Sequence, residues 1–178
     1  MNRNKLTDIY NKYVDDLNTY GLYLGFERDT VKDAIHDIFV KISSDNRVLN
    51  NIENIKFYLF KSLKNRLTDL YRKNKRLLAI ENFNPDEETP FQIQVTVESK
   101  YIEEEDRVRT KEEIEEMLES LTHRQREIIY LRYVQEYDYE QISEILNITV
   151  HSCRKLVSKA INSLRNKYGV ISLFFLVC

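Results

Sequence analysis

Apolar positions along the 178-residue chain recur every three or four residues over most of its length. That is the period of an α-helix that buries one face. A first run, Leu6, Ile9, Tyr10, Tyr13, Leu17, Tyr20 and Leu24, predicts a helix over 6–24, with Asp8, Asn11, Lys12 and Asp15 opposite. A second, Val31, Ala34, Ile35, Ile38, Phe39 and Ile42, predicts a helix over 30–43 whose other face carries Asp33, His36, Asp37 and Lys41. In the third, from Ile55 to about Lys73, Leu59, Leu63, Leu67 and Leu70 cluster on one side. Lys61, Lys64, Asn65, Thr68 and Arg72 form a stripe on the other, with Phe57 and Tyr58 at its N-terminal end. From about Leu77 the pattern decays, and Asn84-Pro85-Asp86 signals a turn. The short alternation of Phe91, Ile93, Val95 and Val97 suits a strand or a segment docked on a neighbour, and Glu103–Glu119 is again helical.

Residues Leu121 to Lys167 predict three helices separated by short breaks. Thr122 with Gln125 has the form of a capping box, and Asp138 with Gln141 repeats it. The first of these helices runs through Ile128, Ile129 and Leu131 to about Gln135; the second is short, with Ile142, Ile145 and Leu146 on one face. Asn147 stands where a helix-turn-helix needs a residue tolerant of left-handed backbone, and Thr149 is placed to cap the third helix. On a helical wheel Val150, Cys153, Val157, Ala160, Ile161 and Leu164 face the core. His151, Ser152, Lys155, Ser158, Lys159 and Asn162 face outward. A helix of this kind docks in a DNA major groove. Lys155 and Lys159 are suited to phosphate or guanine, and His151 and Ser152, at the N-terminal end, to base edges.

Composition sharpens this picture in one respect. The formal charge of −2 conceals a segregation: residues 56–76 carry eight basic side chains against one acid, and residues 85–106 carry eight acids against one Lys. Residues 150–167 carry five basic side chains and no acid. Two positive blocks flank a negative strap. A basic stripe tipped with aromatic rings suits single-stranded nucleic acid, where cations follow phosphates and rings stack on bases. The amides of Asn46, Asn50, Asn51 and Asn54 just before it are able to read base edges or simply to fill a polar joint. Arg124, Arg126 and Arg132 suit backbone phosphate or a solvated face equally.

The chemistry excluded is as informative. No Gly-rich phosphate loop, HExxH, GxSxG or CxxC occurs, the three His lie far apart, and the two Cys suit neither a disulfide framework nor a zinc site. No cofactor and no small-molecule substrate is expected, nor an enzyme. No apolar run approaches the ~20 residues of a spanning helix, so an integral membrane protein is not expected and a reducing cytoplasm is. The apolar stretch Val170–Cys178 suits packing or a partner contact.

The segment Asp33-Ala-Ile-His36-Asp37-Ile-Phe39-Val-Lys41, then Phe57-Tyr58-Leu59 through Asn65 to Arg72, then the Leu121–Lys167 helix-turn-helix resembles bacterial sigma factors of the sigma-70 family. The small size looks like their extracytoplasmic-function group. The resemblance implies an all-α chain of two small helical domains joined by an acidic linker: a region 2-like bundle over 1–80, a linker over 81–109, a region 4-like helix-turn-helix over 110–168 and an apolar tail over 169–178. It implies that Asp33, His36, Asp37 and Lys41 grip core RNA polymerase. Asn50, Asn51, Asn54, Phe57, Tyr58, Lys61, Lys64, Asn65 and Arg72 would open and hold the −10 element of promoter DNA. His151, Ser152, Arg154, Lys155, Ser158 and Lys159 would read the −35 element. An anti-sigma factor is the implied regulator. The chain departs from the family with His36 for the usual Gln, Tyr58 for a frequent Trp, Asn147 for Gly, and Leu156 where Arg is common. Against this stands a conventional regulator that binds duplex DNA as a dimer through Leu121–Lys167 alone.

Overall fold

In the computed structural model the described residues are 3–44, 52–77, 91–93 and 104–169. Asn46, Asn50, Asn51, most of the acidic strap including Val95 and Val97, and the tail from Val170 lie outside them. The elements are α1 (Arg3–Tyr23), α2 (Arg28–Ser44), α3 (Ile55–Leu77), α4 (Glu104–Glu119), α5 (His123–Ile129), a π-helical turn (Tyr130–Val134), α6 (Tyr139–Leu146) and α7 (Val150–Tyr168). No strand occurs among the described residues, and Phe91–Ile93 forms no regular element. The fold is all-α. It divides into two compact units, one built on the chain up to Pro90 and the other on the chain from Phe91.

The first unit is a three-helix bundle. Leu17, Tyr20 and Leu24 from α1 and the turn after it, Val31, Ala34, Ile35, Ile38, Phe39 and Ile42 from α2, and Leu59, Phe60, Leu63 and Leu67 from α3 are all buried. Rings join the layers: Tyr10 meets the Phe39 ring edge-on at 5.0 Å, and Tyr20 lies 5.2 Å from Phe60. Gly21 allows α1 and α2 to approach closely, since a Cβ there would lie 2.5 Å from Val31 Cγ1. Four residues on, Gly25 takes φ 79° and ends α1 in a Schellman motif. Its N–H donates to the Leu22 carbonyl at 2.9 Å, and the Phe26 N–H reaches Gly21 at 3.4 Å. Two glycines thus set how α1 turns back into α2.

The second unit packs α4, α5 and α7 around Met117, Leu121, Ile129, Ala160 and Leu164, with Ile114, Tyr133, Ile161 and Tyr168 against them. Between α5 and α6 the ladder widens: the Gln135 N–H donates to the Tyr130 carbonyl, five residues back, at 3.0 Å. The Tyr137 N–H reaches Leu131, again at 3.0 Å, and Glu136 is forced to φ 61°. A buried bond from Gln135 Nε2 to the Tyr130 hydroxyl (2.8 Å) pins the turn from the side-chain end. Periodicity predicts an unbroken α-helix to about Gln135. The added residue per turn is the difference, and it re-aims the chain into α6. Phe91 belongs to this unit. It is 1% exposed, lies 5.7 Å from the Tyr130 ring, and its N–H donates to His123 Nδ1 at 3.2 Å.

Candidate nucleic-acid interface

Three caps and one left-handed residue build the helix-turn-helix. Thr122 Oγ1 accepts from the Gln125 N–H at 3.3 Å while Gln125 Oε1 accepts from the Thr122 N–H at 2.9 Å. The same exchange joins Asp138 and Gln141, at 2.7 and 3.2 Å. Each box satisfies two amides that a helix start otherwise leaves open, worth about 1 kcal/mol per cap. Asn147 ends α6 at φ 51°, ψ 47°, and Ile148 donates to the Ser143 carbonyl at 3.0 Å. Thr149 Oγ1 then caps α7 by accepting from the Ser152 N–H at 3.1 Å. Each of these roles matches the expectation from the sequence.

On α7 the inner face is as the wheel predicts. Cys153, Val157, Ala160 and Leu164 are buried, and Val150 and Ile161 are half-buried. Cys153 is fully enclosed, and burial pushes its thiol up. Among the described residues no three His, Cys, Asp or Glu stand together as metal ligands. His151, Arg154, Lys155, Ser158, Lys159 and Asn162 are exposed. Ser152 is half-buried with its hydroxyl 2.9 Å from that of Thr149, so it serves the cap before it can serve a base. The outward face is therefore a basic one, and neither Lys155 nor Lys159 has an ion pair among the described residues.

The arginines of the preceding helix divide. Arg126 is half-buried with Nη2 donating toward His123 Nδ1 at 3.1 Å, and burial lowers its pKa. Arg132 donates to the Tyr137 carbonyl at 2.9 Å and lies over the Tyr139 ring at 5.2 Å. Both are built into the module. Arg154 also lies over that ring, at 5.6 Å. The sequence offered no sign of this grouping.

In the first unit Asp33, His36, Asp37 and Lys41 are all exposed on α2, as expected, and Val40 (51% exposed) adds an apolar spot beside them. Asp37 already accepts from Arg66 of α3 at 2.7 Å. On α3, Asn54 is the cap, its Oδ1 accepting from the Phe57 N–H at 3.0 Å, so that oxygen is not turned outward. Phe57 and Tyr58 are half-buried, and Lys61 lies 5.6 Å over the Phe57 ring. Asn65 and Arg72 are exposed, with Arg72 3.9 Å from Asp69. Lys64 corrects the wheel. It is 6% exposed, about 40° round the helix from the buried Phe60. It does not belong to the open stripe. Phe60, fully buried, is the residue the four-leucine pattern passed over.

Residues 111–164, which run from within α4 through most of α7, match the family Sigma-70, region 4. The fold as a whole is similar to that of the sigma factor RpoE in its co-crystal structure with the anti-sigma factor NepR from Bartonella quintana. The TM-score is 0.59 at 21% identity, over 91% of this chain and 95% of that one. No curated protein sequence matches. No described helix is long and apolar enough to cross a membrane.

Proposed function

We infer that this chain is a sigma-70-family protein of the extracytoplasmic-function group that directs core RNA polymerase to promoters and initiates transcription there, a reading supported by its match to Sigma-70, region 4 and by the fold it shares with the sigma factor RpoE. The observation that carries the assignment is the outward face of α7. An exposed basic surface follows a left-handed Asn147 turn, on a module of matching family. Exposed lysines with no ion pair among the described residues release condensed cations from DNA when they bind, which supplies sequence-independent affinity.

The parts divide the work. His151, Arg154, Lys155, Ser158 and Lys159 engage the −35 duplex, with Ser152 supporting the helix start. Phe57, Tyr58, Lys61, Asn65 and Arg72, on one face of α3, hold the opened −10 strand, each stacked base contributing about 1–3 kcal/mol. The −10 set extends to Asn50 and Asn51 on sequence grounds. Asp33, His36, Asp37 and Lys41 meet core polymerase, with Asp37 exchanging its Arg66 partner for one on the enzyme. The protein performs no covalent chemistry and acts in the cytoplasm. An anti-sigma protein regulates it by covering these faces.

Purified chain mixed with core polymerase should start transcription at promoters mapped by sequencing transcript ends after its overexpression. Failure to bind core polymerase overturns the assignment. Tight duplex binding by the chain alone, at a palindromic site, would instead identify a free-standing dimeric regulator.

A further inference from the structure

We propose that Tyr139 is a positioning residue that holds Arg154 for contact with a DNA phosphate, as half of a two-arginine platform completed by Arg132. The proposal rests on the promoter-binding role above and adds to it two residues outside the recognition helix.

Tyr139 is the first residue of α6, and the Asp138–Gln141 capping box immediately before it fixes its backbone. Its half-buried ring has guanidinium carbons of Arg132 at 5.2 Å and Arg154 at 5.6 Å from its centroid. Arg132 is secured a second time by its bond to the Tyr137 carbonyl at 2.9 Å. Arg154, exposed on the flank of α7 that faces Tyr139, rests on the ring. A guanidinium drawn over an aromatic ring is held without spending a conventional hydrogen bond on a protein acceptor, so N–H groups remain for a planar or forked acceptor. The ring therefore restricts a long, rotamer-rich side chain without using its donors.

Charge points the same way. Two cations share one ring, and among the described residues neither makes an ion pair with an acid. A structural cluster of this kind gains by including a carboxylate. One in which, among the described residues, neither guanidinium is ion-paired is stabilised when an external anion arrives, and α7, which carries Arg154, also carries the exposed Lys155 and Lys159.

The test uses the full chain, free and in polymerase holoenzyme, with the variants Tyr139→Leu, Tyr139→Phe, Arg154→Ala and the Leu/Ala double variant. In the free protein, NMR should show the Arg154 side-chain protons shifted by the ring current, the shift being lost in Tyr139→Leu and kept in Tyr139→Phe. In holoenzyme, Tyr139→Leu and Arg154→Ala should each weaken binding to a −35 duplex by roughly two- to five-fold. Each should lower the slope of log affinity against log salt by about 1, uniformly across −35 sequences. The double variant should be no weaker than Arg154→Ala, and Tyr139→Phe should behave as wild type. Additive losses, an unchanged Arg154 shift, or a loss confined to particular −35 sequences overturns the proposal while leaving the sigma assignment intact. Wild-type holoenzyme that binds no promoter overturns both.

Discussion

Asn147 sits at φ 51°, ψ 47°, a region that costs an ordinary L-residue about 1–2 kcal/mol and asparagine less. Asn147→Ala should therefore lower the stability of the second unit by about 1 kcal/mol in urea titration, and Asn147→Gly should be neutral or better. An alanine variant as stable as wild type would mean the turn relaxes elsewhere. Two lysines make a sharper pair. Lys155→Ala should cut the salt dependence of duplex binding by about one counterion and leave stability within about 0.5 kcal/mol. Lys64→Ala should do the opposite, costing about 1 kcal/mol of stability through lost packing with little change in salt dependence. Cys153 sets a pH dependence. Its folded thiol is pushed above the unfolded value by burial, as is the Tyr133 phenol. Each contributes stability that is fully present below its unfolded pKa, about 8.5 for Cys and 10 for Tyr. That stability is lost as pH rises past those values, because the unfolded state releases its proton first. Urea midpoints measured from pH 7 to 10 should fall on the alkaline side, and Cys153→Val should remove the part that begins near pH 8.5.

At the level of elements, the close crossing of α1 and α2 depends on Gly21. An alanine Cβ there meets Val31 Cγ1 at 2.5 Å and Cγ2 at 2.8 Å, too near for either to stay in place. Gly21→Ala should cost about 1–3 kcal/mol, and Val31→Ala in the same chain should recover part of it, giving a non-additive double-mutant cycle. Simple additivity would show that the helices slide apart without strain. The π turn poses a different problem. Nothing in the spacing of Ile128, Ile129, Leu131 and Val134 separates it from an α-helix, since one extra residue in the ladder alters only the course of the chain beyond it. It is held by the Gln135–Tyr130 side-chain bond and by the Arg132 bond to Tyr137, which exist only once the chain has turned.

For the whole molecule, two cores mean two stabilities. Leu63→Ala should remove about 2–5 kcal/mol from the first unit and Leu164→Ala a similar amount from the second, read by amide hydrogen exchange in each. Equal losses of protection in both units after either substitution would contradict the division. In promoter assays the first variant should impair opening and the second duplex recognition.

Chain-local physics was readable from the residues alone. Helix periods depend on which face is apolar, and caps on neighbours three positions apart, so the seven described helices, both capping boxes, the Thr149 cap and the left-handed Asn147 were legible. So was the outward face of α7, because one buried stripe leaves only one remainder. Contacts between distant parts were not legible, since no local pattern encodes them. Burial of Lys64, capture of Asp37 by Arg66, docking of Phe91 on Tyr130 and His123, and the placing of Arg132 and Arg154 over the Tyr139 ring each depend on which surfaces the fold brings together. The sequence determined which helices form and which face of the last is basic; the tertiary structure decided which of the charged side chains are already engaged by other parts of the fold and which stay exposed on that face.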